Sequence, residues 1–397
     1  MTRIINLDDL RLAAKRKLPR LVFDFIDGGA EDERTMRSNR EAFGKLTLAP
    51  RLLAGGAKRD QSITVAGQSF RTPVLLAPTG LSRLAGRQGE LAAARAAASR
   101  GTVSIVSSAS SMSVDEVARG VDAPQWFQLY PWGDWDLTKT LVDRARNAGS
   151  DTLVVTLEVP VTGARERDYR SGMTIPVRIN PNTALDVMSH PRWLLDLVTS
   201  KPITMANLVG LRVGRSNSAA SLAQLNMDLL NPAYSWDDVS RLREEWKGKL
   251  LVKGIMSAAD ARIAVDRGAD GVVVSNHGGR QADAIPASLD VLPEVVAAVG
   301  HQTDVVFDGG IRRGTDVVMA MALGAKAELV GRPWMYGLAV GGESGVAKML
   351  DILSEEIDRT LALIGAPSVA ALNPSLIRGT AVPVSSSGIL DALEASL

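Results

Sequence analysis

One of the three histidines in the chain, His277, has neighbours that suit a general base. It stands in the run SNHGGRQ (275–281), directly after an apolar stretch and close to Arg280. Imidazole is the side chain whose ordinary pKa lies nearest neutrality, so a histidine among polar residues at a strand end suits proton transfer. The other two, His190 and His301, lie in connecting segments, and we expect no catalytic role for them. His277 is therefore the predicted base.

Two arginines accompany this base. Arg280 follows it closely, and Arg165 lies shortly after the apolar run that ends near Glu158. A guanidinium binds a carboxylate through two parallel hydrogen bonds, so the pair could clamp the carboxylate of a small anionic substrate. A surface salt bridge is the other interpretation of each arginine, and the neighbouring base favours the clamp.

A phosphate-binding site is indicated by two glycine-containing turns. The runs DGGIRRG (308–314) and VGRP (330–333) carry Arg312 and Arg332 directly after apolar stretches. Backbone N–H groups and helix N-termini bind phosphate at such turns, and the last two strands of a (β/α)8 barrel commonly hold one. Glycines after strands also occur in plain tight turns, but arginines on two successive turns favour phosphate.

These residues must be positioned by a repeating pattern that begins near residue 70. A short run rich in valine, isoleucine and leucine is followed by a polar or glycine-containing loop and then by an amphipathic, helix-like stretch. Apolar runs of this kind are typical of strands buried on both faces, and eight of them alternating with helices predict an α/β fold of the (β/α)8, or TIM-barrel, type. The eight runs are VLLAPTG (74–80), VSIVSS (103–108), QWFQLY (125–130), TLVVTLEVP (152–160), KLLVKG (249–254), GVVVSNHGG (271–279), DVVFDGGIR (304–312) and AELVGRP (327–333).

The rival architecture is a doubly wound α/β sheet. It would carry a GxGxxG fingerprint after its first strand, and the chain contains none. In a barrel, side chains at the C-terminal ends of the strands face the active site, and the motifs above stand at such ends. The barrel is therefore the predicted fold.

Two segments lie outside the repeat. Residues 1–65 begin with a helical pattern and are expected to cap the bottom of the barrel. Residues 161–245 connect the fourth and fifth strands, and because a structureless loop of that length is unusual, we expect helices and a lid within it. With these two additions, residues 1–397 are expected to form a single domain.

The long connection contains two apolar pieces, HPRWLLDLV (190–198) and ITMANLVGLRV (203–213). We expect a helix that packs on the barrel or on a neighbouring subunit. A peripheral contact with a membrane surface is the second interpretation. Both pieces are too short to span a bilayer.

Composition narrows the classes of protein and partner. Lys+Arg number 45 and Asp+Glu 44, a net charge of +1 that gives no sign of a nucleic-acid groove. The absence of cysteine excludes disulfides, thiolate catalysis, Cys-ligated zinc and iron–sulfur clusters, and no metal is expected. The N-terminus lacks an apolar signal-peptide core and the last residues, EASL, are not an SKL-type address, so a cytoplasmic location is expected, with membrane association as the second interpretation.

Six short motifs occur in one order and at the predicted strand ends. They are APTG (77–80), WFQLY (126–130), LVKG (251–254), SNHGGRQ (275–281), DGGIRRG (308–314) and VGRP (330–333). Together they resemble the FMN-dependent α-hydroxy acid oxidases and dehydrogenases, which include glycolate oxidase and the lactate and mandelate dehydrogenases. The resemblance extends from VFDFIDGGAEDE near the N-terminus to about residue 365 and is nearest to the mandelate dehydrogenase branch. It implies one FMN-binding TIM-barrel domain.

The resemblance also implies a set of FMN-binding residues. Those expected against the isoalloxazine ring are Pro78, Thr79, Gly80, Ser107, Gln128, Thr156, Lys253 and Ser275, with Lys253 stabilising the negative charge of reduced flavin. Those expected at the ribityl chain and the phosphate are Asp308, Gly309, Gly310, Arg312, Gly331 and Arg332.

For the substrate, the resemblance implies that Arg165 and Arg280 bind the carboxylate. Tyr130 is expected to touch the substrate oxygen, and His277 to take the proton. Glu158 occupies the place of the carboxylate that pairs with the catalytic histidine. The sequence leaves open whether the α-hydrogen departs as a hydride or as a proton.

Three positions bear on the substrate. Glu158 stands where most relatives carry Asp, so the imidazole is expected to be tilted or to have an altered pKa. Phe25 stands where the family has a tyrosine that helps to bind the substrate carboxylate, and losing a hydrogen bond to a charged group costs about 1.5–3 kcal/mol. Gly80 stands where short-chain oxidases often have alanine, which favours a bulky or aromatic substrate.

The leading prediction is oxidation of a large, mandelate-like L-2-hydroxy acid to the 2-keto acid, with oxygen, a quinone or a protein as electron acceptor. The alternative is a retuned flavoenzyme of the same fold, acting on a hydroxy-carbonyl compound, an ester or an isomerisation substrate because of Phe25 and Glu158. A flavin-binding protein without catalysis and a phosphate-sugar barrel enzyme without flavin are two further hypotheses. By resemblance, we expect a homotetramer.

Overall fold

The structure, a computed structural model, describes residues 3–52, 54, 56–174, 177–178, 180–210 and 230–379. Strands of the described residues are β1 (Leu46–Leu48), β2 (Ile63–Val65), β3 (Gln68–Phe70), β4 (Val74–Leu76), β5 (Ile105–Ser107), β6 (Gln125–Leu129), β7 (Ser150–Thr156), β8 (Lys249–Ile255), β9 (Gly271–Val274), β10 (Asp304–Asp308), β11 (Ala327–Val330) and β12 (Ile377–Gly379). Helices of the described residues are α1 (Leu7–Lys17), α2 (Arg20–Asp27), α3 (Arg34–Gly44), α4 (Gly89–Ser99), α5 (Val114–Gly120), α6 (Trp135–Asn147), α7 (Glu166–Ser171), α8 (Pro181–Met188), α9 (Pro191–Val198), α10 (Trp236–Glu245), α11 (Ala258–Asp266), α12 (Ser288–Val299), α13 (Gly314–Ala322) and α14 (Arg332–Ile364).

Strands β4 to β11 form one parallel barrel. Within the sheet they are ordered β4-β11-β10-β9-β8-β7-β6-β5. A parallel bridge between Leu76 and Ser104 joins the two ends, and the Leu76 N–H donates to the carbonyl of Val103 over 3.0 Å. All eight strands lie within the runs expected from the sequence or overlap them, so the (β/α)8 prediction is confirmed.

The barrel wall shows why its strands are apolar along their whole length. In β9, Val273 points into the barrel interior, whereas Val272 and Val274 belong to the layer between barrel and helices. All three are fully buried. A parallel strand covered on both faces has no solvent side, so continuous valine replaces the alternation of a half-exposed strand.

The N-terminal segment does not simply cap the bottom, and that part of the expectation was wrong. The bottom is filled by the β2–β3 hairpin, where the Ala66 N–H donates to Oδ2 of Asp304 over 2.8 Å and the Phe70 ring packs edge-on against Trp126. The C-terminal end of α2 instead brings Phe25 to the opposite end of the barrel. The hairpin directly precedes β4, whose first residue lies at the bottom, so only the last part of the segment reaches that end.

The connection between β7 and β8 contains helices, as expected. Helix α9 is fixed by Trp193, whose Nε1 donates to the carbonyl of Leu84 over 2.8 Å. Farther along, the buried side chain of Asn207 accepts from the N–H of Val114 and donates to the carbonyl of Ser107, at 2.9 and 3.0 Å. The segment is thus held on the loops after β4 and β5; of the apolar piece 203–213, the residues 211–213 lie outside the described part.

Glu328, in β11, is a carboxyl group buried in the barrel wall. It is fully buried, and neither oxygen has a hydrogen-bond partner among the described residues. Burial raises the pKa of Glu328 well above its usual range. Because the folded protein favours the neutral acid, the stability that this group contributes is fully present below the unfolded-state pKa and declines as pH rises toward the folded-state value.

We therefore expect Glu328→Leu to stabilise the protein at neutral pH by about 1–3 kcal/mol, the usual cost of a buried polar group without a partner. The measurement is thermal unfolding of the holoenzyme between pH 5 and 8. The gain should grow with pH, because the wild type loses stability as pH rises. Glu294→Leu, at an exposed position of α12, is the control and should leave the pH dependence unchanged. A gain independent of pH would contradict the assignment.

Candidate active site

A cavity at the C-terminal ends of the barrel strands gathers most of the residues singled out from the sequence. Those that line it are Phe25, Pro78, Thr79, Gly80, Gln128, Tyr130, Thr156, Arg165, Lys253, His277, Arg280, Asp308, Gly309, Gly310, Arg312, Gly331 and Arg332. The other three, Ser107, Glu158 and Ser275, stand behind the lining, and each is hydrogen bonded to a member of it.

A buried ammonium group is at the centre of the polar cluster. Lys253 is only 3% exposed; its Nζ donates to Oε1 of Glu158 and, over 2.8 Å, to Oγ of Ser275. Oδ2 of Asp308 lies 3.3 Å from the same nitrogen. Burial alone would lower the pKa of Lys253, but attraction to Glu158 and Asp308 outweighs it and raises the pKa to about 12. The lysine therefore carries its charge at neutral pH.

The imidazole of His277 is oriented by Glu158, whose Oε1 lies 3.1 Å from Nδ1. Burial alone would raise the pKa of Glu158, but Lys253 and His277 lower it to about 2. Because a carboxylate only accepts hydrogen bonds, Nδ1 carries the proton and Nε2 is left as an acceptor. Burial lowers the pKa of His277 below its ordinary value, although the hydrogen bond that the ring donates to Glu158 acts in the opposite direction, so the ring is neutral at neutral pH.

The loop that carries His277 has an unusual backbone. His277 has φ +56°, in the left-handed region that only a few per cent of non-glycine residues adopt. Its N–H donates to Oγ of Ser275 over 3.0 Å, and the side chain of the preceding Asn276 exchanges two hydrogen bonds with Asn39, at 2.8 and 2.9 Å. Gly279, with φ +71°, approaches the backbone of Met36 too closely for a side chain. These contacts hold the backbone of the loop that carries the imidazole.

The two expected carboxylate-binding arginines flank Phe25. The guanidinium carbons of Arg165 and Arg280 lie 5.7 and 5.6 Å from the centre of its ring. Arg165 pairs with Asp168, with Nε 3.2 Å from Oδ2. Arg280 donates to the carbonyl of Gly28 over 2.8 Å and forms no ion pair with a carboxylate of the described residues. Burial, followed by repulsion from other arginines, lowers the pKa of Arg280 to about 9.

Two polar atoms of the cavity wall have no partner within the described chain. Nε2 of Gln128 and Oγ1 of Thr156 are buried and make no hydrogen bond there. The other end of the Gln128 amide accepts from Oγ of Ser107 over 2.6 Å, which fixes the direction of Nε2. Buried polar groups are nearly always satisfied in native proteins, so both atoms indicate a bound polar molecule.

The turns after β10 and β11 offer different groups to an anion. The N–H of Arg312 is already bonded to Asp316, over 2.8 Å, at the start of α13. Helix α14 begins after Gly331, which provides no side-chain cap. Because Pro333 has no N–H and the N–H of Trp334 is bonded to the carbonyl of Gly331, this turn offers an anion the N–H of Arg332 and the positive end of the helix dipole. The Arg332 guanidinium instead donates to the carbonyls of Asp27, Gly28 and Gly278, at 2.8–3.1 Å. The backbone of Arg332, rather than its side chain, is thus the part that is positioned to bind phosphate.

Sequence reasoning missed four apolar residues of the cavity lining. They are Leu81, Val159, Met205 and Leu230, and the last three lie in the connection between β7 and β8. The apolar piece that begins at residue 203 was a signal for Met205. Leu230 had none, because its position depends on the path of the connection.

Sequence reasoning also missed Asp27, which stands close behind the wall that Phe25 forms. Its carboxylate accepts from Arg11 over 2.5 and 2.7 Å, from Arg167 over 3.0 Å and from the hydroxyl of Tyr336 over 2.7 Å. It therefore joins α1, α7 and α14 beside the cavity.

Comparison with known proteins gives the family. The profile of the FMN-dependent dehydrogenases matches residues 14–379. The chain is 40% identical over 379 residues to (S)-mandelate dehydrogenase of Pseudomonas putida, covering 96% of this chain and 95% of that one. It is 41% identical over 379 residues to L-lactate dehydrogenase of Caulobacter vibrioides, covering 94% and 97%. The crystal structure of the monotopic membrane protein (S)-mandelate dehydrogenase superposes with a TM-score of 0.91 at 39% identity, over 96% of this chain and 100% of that chain.

The chain therefore belongs to the FMN-dependent dehydrogenase family, and it is an oxidoreductase of the class that contains the 2-hydroxy acid dehydrogenases. Its cofactor is FMN. The cavity fits that molecule: Gln128 and Thr156 present polar atoms without a partner among the described residues, Lys253 presents a cation, and the start of α14 presents the N–H of Arg332 and the positive end of its dipole to an anion.

Proposed function

We propose that the chain oxidises an L-2-hydroxy acid with a bulky, apolar substituent to the corresponding 2-keto acid. The observation that carries this proposal is Arg280, which is half-buried, forms no ion pair with a carboxylate of the described residues and lines the same cavity as His277. A partly desolvated cation without an anion is costly, so a bound carboxylate would complete the pairing. The membership of mandelate and lactate dehydrogenases in the family supports the same substrate class.

The chain's own residues divide the work as follows. Arg165 and Arg280 hold the substrate carboxylate, and the hydroxyl of Tyr130 donates a hydrogen bond to the substrate oxygen. Nε2 of His277 accepts the proton that the substrate releases, and Glu158 stabilises the imidazolium that forms. When bound, FMN takes up the two electrons of the oxidation. Lys253 places a fixed positive charge in the cavity wall, where it offsets the negative charge of the reduced cofactor.

Four apolar side chains of the cavity lining support a large substituent. Leu81, Val159, Met205 and Leu230 provide a surface for an aromatic or branched group. Gly80 contributes less directly than expected: a Cβ there would lie 3.2 Å from the carbonyl oxygen and 3.4 Å from Cβ of Ala109. The absence of a side chain at Gly80 therefore both widens the cavity and allows the close approach of Ala109.

The test is anaerobic mixing of the flavin-loaded protein with (S)-mandelate, L-lactate or a long-chain 2-hydroxy acid, followed by the visible absorbance of the flavin. We expect bleaching by mandelate at least about tenfold faster than by lactate, because contacts to an apolar substituent contribute on the order of 1–3 kcal/mol. Normal photoreduction without bleaching by any acid would contradict the proposal and favour an ester or hydroxy-carbonyl substrate.

We also propose that α8 and α9 bind a membrane surface peripherally. Leu185 and Met188 of α8 are 62% and 59% exposed, and Leu195 and Val198 of α9 are 60% and 67% exposed. In each helix the two are three positions apart and so share one face. Amphipathic helices of this kind insert their apolar face at the lipid boundary, and the structurally similar mandelate dehydrogenase is a monotopic membrane protein. Within the described ranges, no helix is long and apolar enough to cross a bilayer.

The expected result is that the double variant L195E/V198E no longer sediments with vesicles containing anionic lipid, whereas the wild type does. Two charges on the face that would enter the lipid should remove most of the binding, because insertion depends on the apolar area of that face. Leu363→Glu, at a position of α14 that is 72% exposed, is the control and should sediment like the wild type. Unchanged sedimentation of the double variant would place the membrane surface elsewhere or exclude it.

A further inference from the structure

Glu158 engages two neighbouring groups through a single oxygen. Oε1 accepts from Nζ of Lys253 and lies 3.1 Å from Nδ1 of His277. Oε2 is buried and has no hydrogen-bond partner among the described residues. A carboxylate offers about four acceptor sites on two oxygens, so crowding two donors onto one oxygen while the other stays bare is a distinctive arrangement.

The bare oxygen is held against the backbone of β8. A Cβ at Gly254, which has φ +108°, would overlap Oε2 and would come within 2.9 Å of Cβ of Glu158. The glutamate side chain therefore fits because its neighbour is glycine. Oε2 faces this backbone rather than either donor, so Lys253 and His277 share Oε1.

The two donors differ in their other partners. Lys253 keeps a second carboxylate, since Asp308 lies 3.3 Å from Nζ and is itself bonded to Ser275. Around His277, the neighbouring lysine and Arg280 are cations that disfavour a second positive charge. Among the described residues, Tyr130 and Arg165 are further titratable or charged groups near this cluster.

We propose that Glu158 is a positioning residue that couples the base to the buried lysine. When His277 gains a proton, Oε1 is drawn to the imidazolium and its bond to Lys253 weakens, which leaves more of the lysine's positive charge for the cofactor. This inference rests on the proposed function only for the moment at which His277 becomes protonated. In that reaction the proton reaches Nε2 of His277 as the two electrons reach FMN, so the freed charge would face the cofactor as it becomes negative.

The test uses sulfite, an anion that adds to oxidised flavin and bleaches it, and therefore needs no substrate. The sulfite dissociation constant of the FMN-loaded enzyme is measured above and below the pKa of His277. Linkage requires that protonation of His277 and sulfite binding strengthen each other by one factor. We expect a factor of about 10–100 in the wild type, within the usual range of site-to-site coupling, and a factor several-fold smaller in Glu158→Gln.

Asp308→Asn is the matched control. It also removes one negative charge beside Lys253, but Asp308 makes no contact with His277 among the described bonds. It should shift sulfite affinity at every pH and keep the wild-type factor. The proposal would be overturned if Glu158→Gln kept the wild-type coupling factor. It would also be overturned if both variants lost the factor equally, because the loss of one negative charge near the lysine would then explain the result. A purely structural role of Glu158 would change affinity without changing the factor.

A measurement on the unmodified enzyme guards against variants that fail to hold FMN. With three histidines in the chain, ¹⁵N-histidine NMR can follow His277 directly. Sulfite should raise the pKa of His277 by about 1–2 units, the same factor seen from the other side. An unmoved pKa would overturn the coupling. Because no hydroxy acid is present, either result is independent of whether the proposed substrate is right.

Discussion

Replacement of His277 by asparagine is expected to lower the rate of flavin reduction by the hydroxy acid about 10²–10⁴-fold while FMN stays bound. Asparagine keeps a polar group near Glu158 but offers no acceptor of comparable basicity at the position of Nε2. The rate is measured by anaerobic stopped-flow absorbance, and FMN content is measured after denaturation. His301→Asn is the control, because that residue is exposed and contacts Gln302.

The pH dependence provides a second check on the same residue. Since burial lowers the pKa of His277, the active neutral form persists below the ordinary histidine value of about 6.5. The wild-type kcat/KM should therefore rise with pH along an acid limb centred below that value, and this limb should vanish in His277→Asn. Full activity of the variant, or an unchanged limb, would remove His277 from the proton transfer.

Arg280→Met is expected to weaken binding of the hydroxy acid by about 30- to 4,000-fold. Truncating one partner of a buried charge pair costs about 2–5 kcal/mol, and each 1.4 kcal/mol is a factor of ten in affinity. Methionine retains the apolar stem but loses the charge and the donors, whereas Arg280→Lys should fall between the two because it keeps the charge without the planar fork. The dissociation constant is obtained from the substrate dependence of flavin reduction.

The methyl ester of the same acid separates charge recognition from general damage. The acid should lose much more affinity than the ester in Arg280→Met, because only the acid carries a charge. Arg170→Met, on the exposed side of α7 where Arg170 pairs with Glu166, is the control and should bind the acid normally. Equal losses for acid and ester would mean that Arg280 supports the cavity rather than the carboxylate.

The barrel could be predicted from the sequence because each of its strands corresponds to a short run of consecutive apolar residues. Val272, Val273 and Val274 are buried on both faces, which is a property of neighbouring residues and needs no knowledge of distant ones. Because the C-terminal ends of all eight strands lie at the same end of the barrel, the motifs at these ends lie close together. This is why 17 of the expected site residues line one cavity even though they are scattered along the chain.

What could not be predicted depends on contacts between distant segments. The sharing of Oε1 of Glu158 follows from the backbone of Gly254, and the use of the Arg332 guanidinium follows from the carbonyls of Asp27 and Gly28. Neither contact has a local pattern. The burial of Glu328 was missed for the same reason, since it is a charged residue type in a strand that is otherwise apolar.

The bonds around Asp27 also bear on how the enzyme is made. Asp27 and Gly28 are synthesised about three hundred positions before Tyr336 and Arg332, which bind them. β1 must likewise wait for β12, since Leu46 pairs with Gly379. Contacts between such distant parts of a chain form late and slowly. On the ribosome, the wall that carries Phe25 is therefore complete only after Arg332 and Tyr336 have been translated.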